Sequence, residues 1–203
     1  MSEAPTLSLP SVPAPLHWRG TPQDWSLDGS GTLSITAGER TDWFLDPAGA
    51  VNVLNAPALL APVQHPCMLK AFVHSASKAM FDAGVLVVYQ SDNQWAKLCL
   101  ELSPQKQIMI VSVVTKGTSD DCNSIPIDGG AVHLRVSVLE KAFAFHYSTD
   151  GAVWNLVRYF TLGASDTLEI GFLAQSPTGE GCTATFRDIA YVPEKLADIR
   201  SGV

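Results

Sequence analysis

The chain has 203 residues, 46% of them hydrophobic and 16% charged, with a formal net charge of -7. This balance excludes a disordered chain and supplies enough apolar side chain for one large core. An acidic surface repels phosphate backbones and anionic lipid, so neither nucleic acid nor membrane is an expected partner. No apolar run approaches the roughly 20 residues that cross a bilayer as a helix.

Residues 1–15 carry Pro5, Pro10, Pro13 and Pro15 and predict an extended arm, because proline suits neither ladder nor helix interior. Met1-Ser2-Glu3-Ala4-Pro5 has no basic stretch and no apolar core, so the expectation is a cytoplasmic protein. Cys67, Cys99, Cys122 and Cys182 are then free thiols. Their wide spacing offers no zinc or redox pair, and no cofactor or metal is expected.

Residues 16–192 read as one β domain. Short runs rich in Val, Ile, Phe, Tyr and Thr occupy 31–36, 41–45, 67–74, 83–90, 94–102, 107–115, 131–139, 142–148, 153–160, 167–175 and 182–191. Many short strands with turn residues between them predict an all-β antiparallel sandwich or barrel. Residues 46–66, with Pro47, Pro57, Pro62 and Pro66, read as a long loop that could cover a groove. Asp120, Asp121, Asn123 and Asp128 read as a polar turn without EF-hand spacing. In the tail, 193–203, residues 194–200 are the one fair helix candidate.

Alternation sorts the side chains by face. A hairpin at Glu140-Lys141 would pair Val138 with Phe143, Val136 with Phe145 and Leu134 with Tyr147, leaving Arg135 opposite His146 on the second face. In 94–102, Leu98, Leu100 and Leu102 point one way, and Trp95, Lys97, Cys99 and Glu101 the other. A turn at 91–93 sets Tyr89 beside Trp95. Each hairpin thus has an apolar face for the interior and a mixed face for the outer surface of a sheet.

Several segments resemble a known family in order and spacing. They are Thr41-Asp42-Trp43-Phe44, Phe81-Asp82-Ala83-Gly84-Val85-Leu86-Val87 and Trp95-Ala96-Lys97-Leu98-Cys99-Leu100-Glu101, followed by Ser112-Val113-Val114-Thr115 with Ser119-Asp120, Trp154-Asn155-Leu156-Val157-Arg158, and Gly171 with Ser176-Pro177. Across residues 16–192 the chain resembles the domain-of-unknown-function family 1349 of the concanavalin A-like lectin and glucanase superfamily. The resemblance implies a concanavalin A-like jelly-roll sandwich of two antiparallel sheets, and it implies no particular reaction. Where the family has an aromatic after Ser119-Asp120, this chain has Asp121.

Saccharide recognition needs flat rings for stacking and planar polar groups for hydroxyls. Tyr89 and Trp95 are the expected rings, with Lys97, Glu101, Arg135 and His146 as hydrogen-bonding groups in a groove on one sheet. Asp42 and Trp43 from the family motif, Gln175 near a strand end, and Arg158, whose face alternation leaves open, complete the candidate set. The expected function is non-catalytic binding of a carbohydrate or sugar-like metabolite. The alternative is a protein-interaction or regulatory module of carbohydrate metabolism. A glycoside hydrolase comes third, because it needs two carboxylates about 5–9 Å apart and the strand of Glu101 offers no second acid on its face. The oligomeric state is left open.

Overall fold

The computed structural model describes residues 6–63 and 66–203. Residues 1–5 of the expected arm, on which the reading of the chain start rests, and residues 64–65 of the expected loop lie outside the described residues.

Among the described residues there are sixteen strands and no α-helix. The first six are β1 (His17–Arg19), β2 (Asp24–Leu27), β3 (Leu33–Gly38), β4 (Trp43–Leu45), β5 (Asn52–Leu54) and β6 (Ala58–Pro62). Then come β7 (Cys67–Ser75), β8 (Ala83–Ser91), β9 (Gln94–Leu102), β10 (Ile108–Lys116) and β11 (Thr118–Pro126). The last five are β12 (Ala131–Val138), β13 (Phe143–Ser148), β14 (Asn155–Phe160), β15 (Glu169–Gln175) and β16 (Gly181–Val192).

Seven strands form the first sheet, in the order β1-β6-β15-β8-β9-β10-β11, and seven form the second, β14-β13-β12-β7-β16-β3-β2. The sheets pack face to face as an all-β jelly-roll sandwich. β4 and β5 pair with each other in a separate hairpin. The alternation read from sequence sets the interior. Leu98, Leu100 and Ile110 of the first sheet share one core with Val132, Leu134, Val136 and Phe145 of the second. Phe172 and Phe186 meet across the sheets with ring centroids 5.0 Å apart. Each such side chain contributes about 1.5–3 kcal/mol when fully buried. The β12–β13 register is the expected one, with Val138, Val136 and Leu134 facing Phe143, Phe145 and Tyr147.

Four local expectations are corrected. The described part of the N-terminal arm is folded back rather than extended: Leu7 and Leu16 exchange backbone hydrogen bonds, and Leu7, Leu9 and Val12 are buried in the main core. The 46–66 segment is not one loop. It contains β5 and the inner strand β6, whose Ala58-Leu59-Leu60-Ala61 is buried on both faces. Pro57 and Pro62 flank that run instead of interrupting it, so the ladder survives. The polar stretch around Asp120 and Asp121 is the edge strand β11, not a turn. The tail forms no helix. The Asp198 side chain takes the Arg200 amide, and the Asp198 carbonyl takes the Gly202 and Val203 amides, which closes a tight turn.

The far face of the first sheet carries a second apolar cluster. Trp43 and Leu45 of β4 and Leu54 of β5 lie over Val85, Val87, Trp95, Val111, Val113 and Leu173. On that sheet Gly171 lets β15 approach β6, because a Cβ there would collide with the Leu59 carbonyl. Gly171→Ala should therefore lower Tm by about 5 °C or more, measured by thermal unfolding. An unchanged Tm would show that the two strands can part without penalty.

Candidate functional site

Strand registers build the far face of the first sheet in rows. Glu169, Tyr89, Trp95, Thr115 and Ser119 form one row across β15, β8, β9, β10 and β11. Gly171, Val87, Lys97, Val113 and Asp121 form the next, then Leu173, Val85, Cys99, Val111 and Asn123. The last row is Gln175, Ala83, Glu101 and Met109.

The β4–β5 hairpin closes the aromatic end of this face. Trp43 is buried, its indole donates to the Ala56 carbonyl at 2.9 Å, and its ring stands 5.7 Å from both Tyr89 and Trp95. The Leu45 amide donates to Ser119 Oγ at 2.9 Å and ties the hairpin to the edge strand. Trp95 is 0% exposed, so it offers no ring to a ligand. Tyr89 is half-buried. Its ring lies under the Arg19 guanidinium at 4.9 Å, and its hydroxyl donates to Asp92 at 2.6 Å. Burial, then that bond, pushes its pKa up to about 12. The expected stacking pair is therefore occupied by packing.

Beside this aromatic plug lies a polar nest. Lys97 is 2% exposed, and its ammonium donates to Asp42 Oδ1 at 2.9 Å and Gln175 Oε1 at 2.8 Å. Burial alone would lower the Lys97 pKa, but the Asp42 carboxylate and the other groups around it outweigh burial and hold it up. Lys97 therefore stays protonated, its charge matched by the Asp42 carboxylate. Gln175 Nε2 donates to the Phe81 carbonyl at 3.1 Å, which fixes the orientation of the amide.

Glu101, on the same face of β9 four residues beyond Lys97, is 8% exposed, and no described residue gives its carboxyl a hydrogen bond. Burial raises its pKa to about 8, with Lys97 opposing and Asp121 and Asp42 adding to the rise. At neutral pH the group is mostly the acid, with one O–H to donate and a carbonyl oxygen to accept. Asp121 of β11 is a third acid near Lys97. Its pKa is raised by desolvation, which Lys97 partly offsets. Among the described residues no cluster of three His, Cys, Asp or Glu side chains is arranged to hold a metal ion.

Three candidates lie elsewhere. Arg135 and His146 face each other as expected, but on the outer face of the second sheet, so they do not join the Lys97 nest. They hold the C-terminal tail. Arg135 Nη2 donates to the Gly202 carbonyl at 2.7 Å, and the Trp154 ring covers its guanidinium at 4.2 Å. His146 Nε2 lies 2.8 Å from the Ile199 carbonyl, so that nitrogen carries the proton. Burial holds the His146 pKa below its ordinary value, against the pull of that bond. Arg158 pairs with Asp120 at 2.9 Å and joins β14 to β11, the edge strands of opposite sheets.

Asp82 and Ser176 are positioning residues that sequence reasoning left without a role. Asp82 is fully buried and accepts from the Lys78 and Ala79 amides and from Ser176 Oγ at 2.7 Å. This clamp holds Phe81 at φ 70°, in the left-handed region, where its carbonyl meets Gln175. The signal was present in Phe81-Asp82 and Ser176-Pro177, quoted above only for their resemblance.

The two seven-stranded antiparallel sheets define a jelly-roll sandwich. Residues 18–194 match the family described as "Protein of unknown function (DUF1349)", and the chain belongs to that family. A functionally unknown protein from Saccharomyces cerevisiae superposes with a TM-score of 0.81 at 22% identity, over 87% of this chain and 95% of that one. A GH43 protein from Bacillus licheniformis gives 0.68 at 20% identity, over 87% of this chain but only 37% of its own length. The carbohydrate binding module CBM66 from Bacillus subtilis gives 0.54 at 15% identity, over 86% of this chain and 94% of that one. No curated protein sequence matches the chain. At these identities the likeness to solved structures concerns the fold.

Glu101 makes stability depend on pH. The folded carboxyl keeps its proton up to about 8, whereas an ordinary one loses it near 4.5. Its contribution is therefore most favourable below the lower value and declines as pH rises to the upper one. Glu101→Gln removes this dependence, so the Tm of the variant should gain on wild type by roughly 5 °C between pH 5 and pH 9. A constant Tm difference across that range would mean that Glu101 is not a buried acid.

Proposed function

We propose that this protein is a non-catalytic binding module for a neutral saccharide or sugar-like metabolite, held on the far face of the first sheet beside Lys97, Gln175 and Glu101. One observation carries the reading. Glu101 is a buried carboxyl without a hydrogen-bond partner among the described residues, next to a Lys97–Asp42–Gln175 set whose own bonds are made. Its oxygens are not among the sealed, unpartnered side-chain atoms of the described residues, so a ligand hydroxyl can reach them in place of water. The acid form donates and accepts at once, as a sugar hydroxyl does. Asp121 and Asn123, exposed on β11, and Phe81, opposite them across the sheet, offer rim contacts. Because Trp43 and Trp95 are buried, recognition in this reading rests on hydrogen bonds and not on an indole platform. The same sandwich occurs in a protein described as a carbohydrate binding module, which is compatible with this use of the fold.

Isothermal titration with neutral mono- and disaccharides tests the reading. Binding is expected at millimolar concentration or tighter. Glu101→Leu should weaken it about tenfold or more, whereas Glu101→Gln, which keeps a donor and an acceptor, should retain it. Affinity should fall above pH 8 as the carboxyl ionises. Absence of heat with every neutral sugar at millimolar concentration, or full affinity in Glu101→Leu, would refute the proposal.

A further inference from the structure

A cavity lies at one end of the sandwich, away from the Lys97 nest. It has a volume of about 940 Å³ and is walled by the β12–β13 turn, the connection from β14 to β15, and the ends of β6 and β8. Both sheets contribute, so it opens at the end of the main core and not on a sheet face. Phe143, Leu139, Val63 and Leu168 give it apolar surface.

Gln90 is the unusual wall residue. It falls where the β8–β9 register shifts, between the Tyr89–Trp95 and Ser91–Gln94 pairs, so it is the extra residue of a β-bulge. It continues the inward-facing row of Leu86 and Val88. A bulge re-aims a side chain without breaking the strand, and bulges gather beside binding sites. Here the bulge puts a primary amide at the end of a hydrophobic interior. Gln90 is 7% exposed, and its buried Oε1 has no hydrogen-bond partner. The opposite wall is held in place, since Gln94 Nε2 donates to the Leu162 carbonyl at 3.1 Å.

The charges around the cavity select the ligand class. Glu140 and Asp166 contribute carboxylates and Lys141 a single ammonium. Phosphorylated or carboxylated ligands are repelled. A neutral ligand with hydroxyl groups fits, because a hydroxyl oxygen can accept from the Gln90 amide nitrogen, which is not among the sealed atoms, while its carbon skeleton lies on Phe143 and Leu168. The volume falls within the roughly 300–1,000 Å³ range of small-molecule sites.

We infer that this end cavity is a second binding site for a neutral polyhydroxylated ligand, with Gln90 as its recognition residue. The site does not depend on Glu101, so it stands or falls separately from the function proposed above.

The test is the side-chain amide resonance of Gln90 in the ¹⁵N-labelled full chain, titrated with D-glucose, D-xylose and sucrose, with glucose 6-phosphate as the anionic comparison. The resonance should shift and saturate with at least one neutral sugar, and respond at least tenfold more weakly to the phosphate ester. The shift should persist unchanged in Glu101→Leu. Gln90→Leu, and Gln90→Met if the first does not fold, should keep the melting temperature at or above wild type and abolish perturbation of Leu168 and Phe143. No shift with any of the three sugars would overturn the inference. So would equal response to the phosphate ester, or a shift lost in Glu101→Leu, which would locate its origin in the other site.

Discussion

The buried ammonium of Lys97 is the constraint around which this face of the molecule is organised. A charge only 2% exposed in the middle of a sheet is tolerated only when it is paired and hydrogen-bonded. Asp42 supplies the counter-charge and Gln175 the second acceptor, from segments 55 and 78 residues away in the chain. Removing one partner of such a pair costs about 3–5 kcal/mol, because it strands the other charge. Asp42 immediately precedes β4, so the ion pair also fixes the start of the hairpin that roofs Trp95. The same requirement extends outward through Phe81 to the clamp of Asp82 and Ser176, which sets the orientation of the Gln175 amide.

With Lys97 satisfied, Glu101 is left as the group whose needs the described residues do not meet. Its neighbours on the row are Ala83, which is small, and Met109, which is apolar. Neither can donate a conventional hydrogen bond from its side chain. The carboxyl therefore resolves its burial by keeping its proton. A neutral acid beside a fixed cation is a different chemical surface from two opposed charges: it can form bonds in both directions while the cation remains occupied. This division of labour makes hydrogen bonding to a ligand possible without dismantling the ion pair.

The second sheet solves a similar problem differently. Arg135 and His146 also lie side by side on an outward face, and the chain itself covers them. The Ile199 and Gly202 carbonyls meet both groups. Gly202 is what allows this contact, since a Cβ there would come within 2.7 Å of Trp154 Cβ and 3.0 Å of Arg135 Nη2. Two polar faces of similar composition thus have different fates. One is roofed at its aromatic end by a hairpin, and the other is strapped by the tail.

Most strand positions (though not the short β1 and β2), the inward apolar rows and the β12–β13 register were legible in the sequence, because alternation and turn chemistry are local properties. So was the parity that puts Trp95, Lys97 and Glu101 on one face. Local pattern was misleading where burial came from both sides. Ala58-Leu59-Leu60-Ala61 lacks alternation and sits between prolines, and β11 is polar because it is an edge. Which sheet receives a hairpin, and what lies on top of a mixed face, depend on contacts between residues far apart in the chain. Side-chain parity assigns a residue to one of two faces, but it carries no information about which other segment will cover that face. Tertiary packing alone therefore separated Arg135 and His146 from Lys97, and it alone buried Trp95 while leaving Glu101 without a partner.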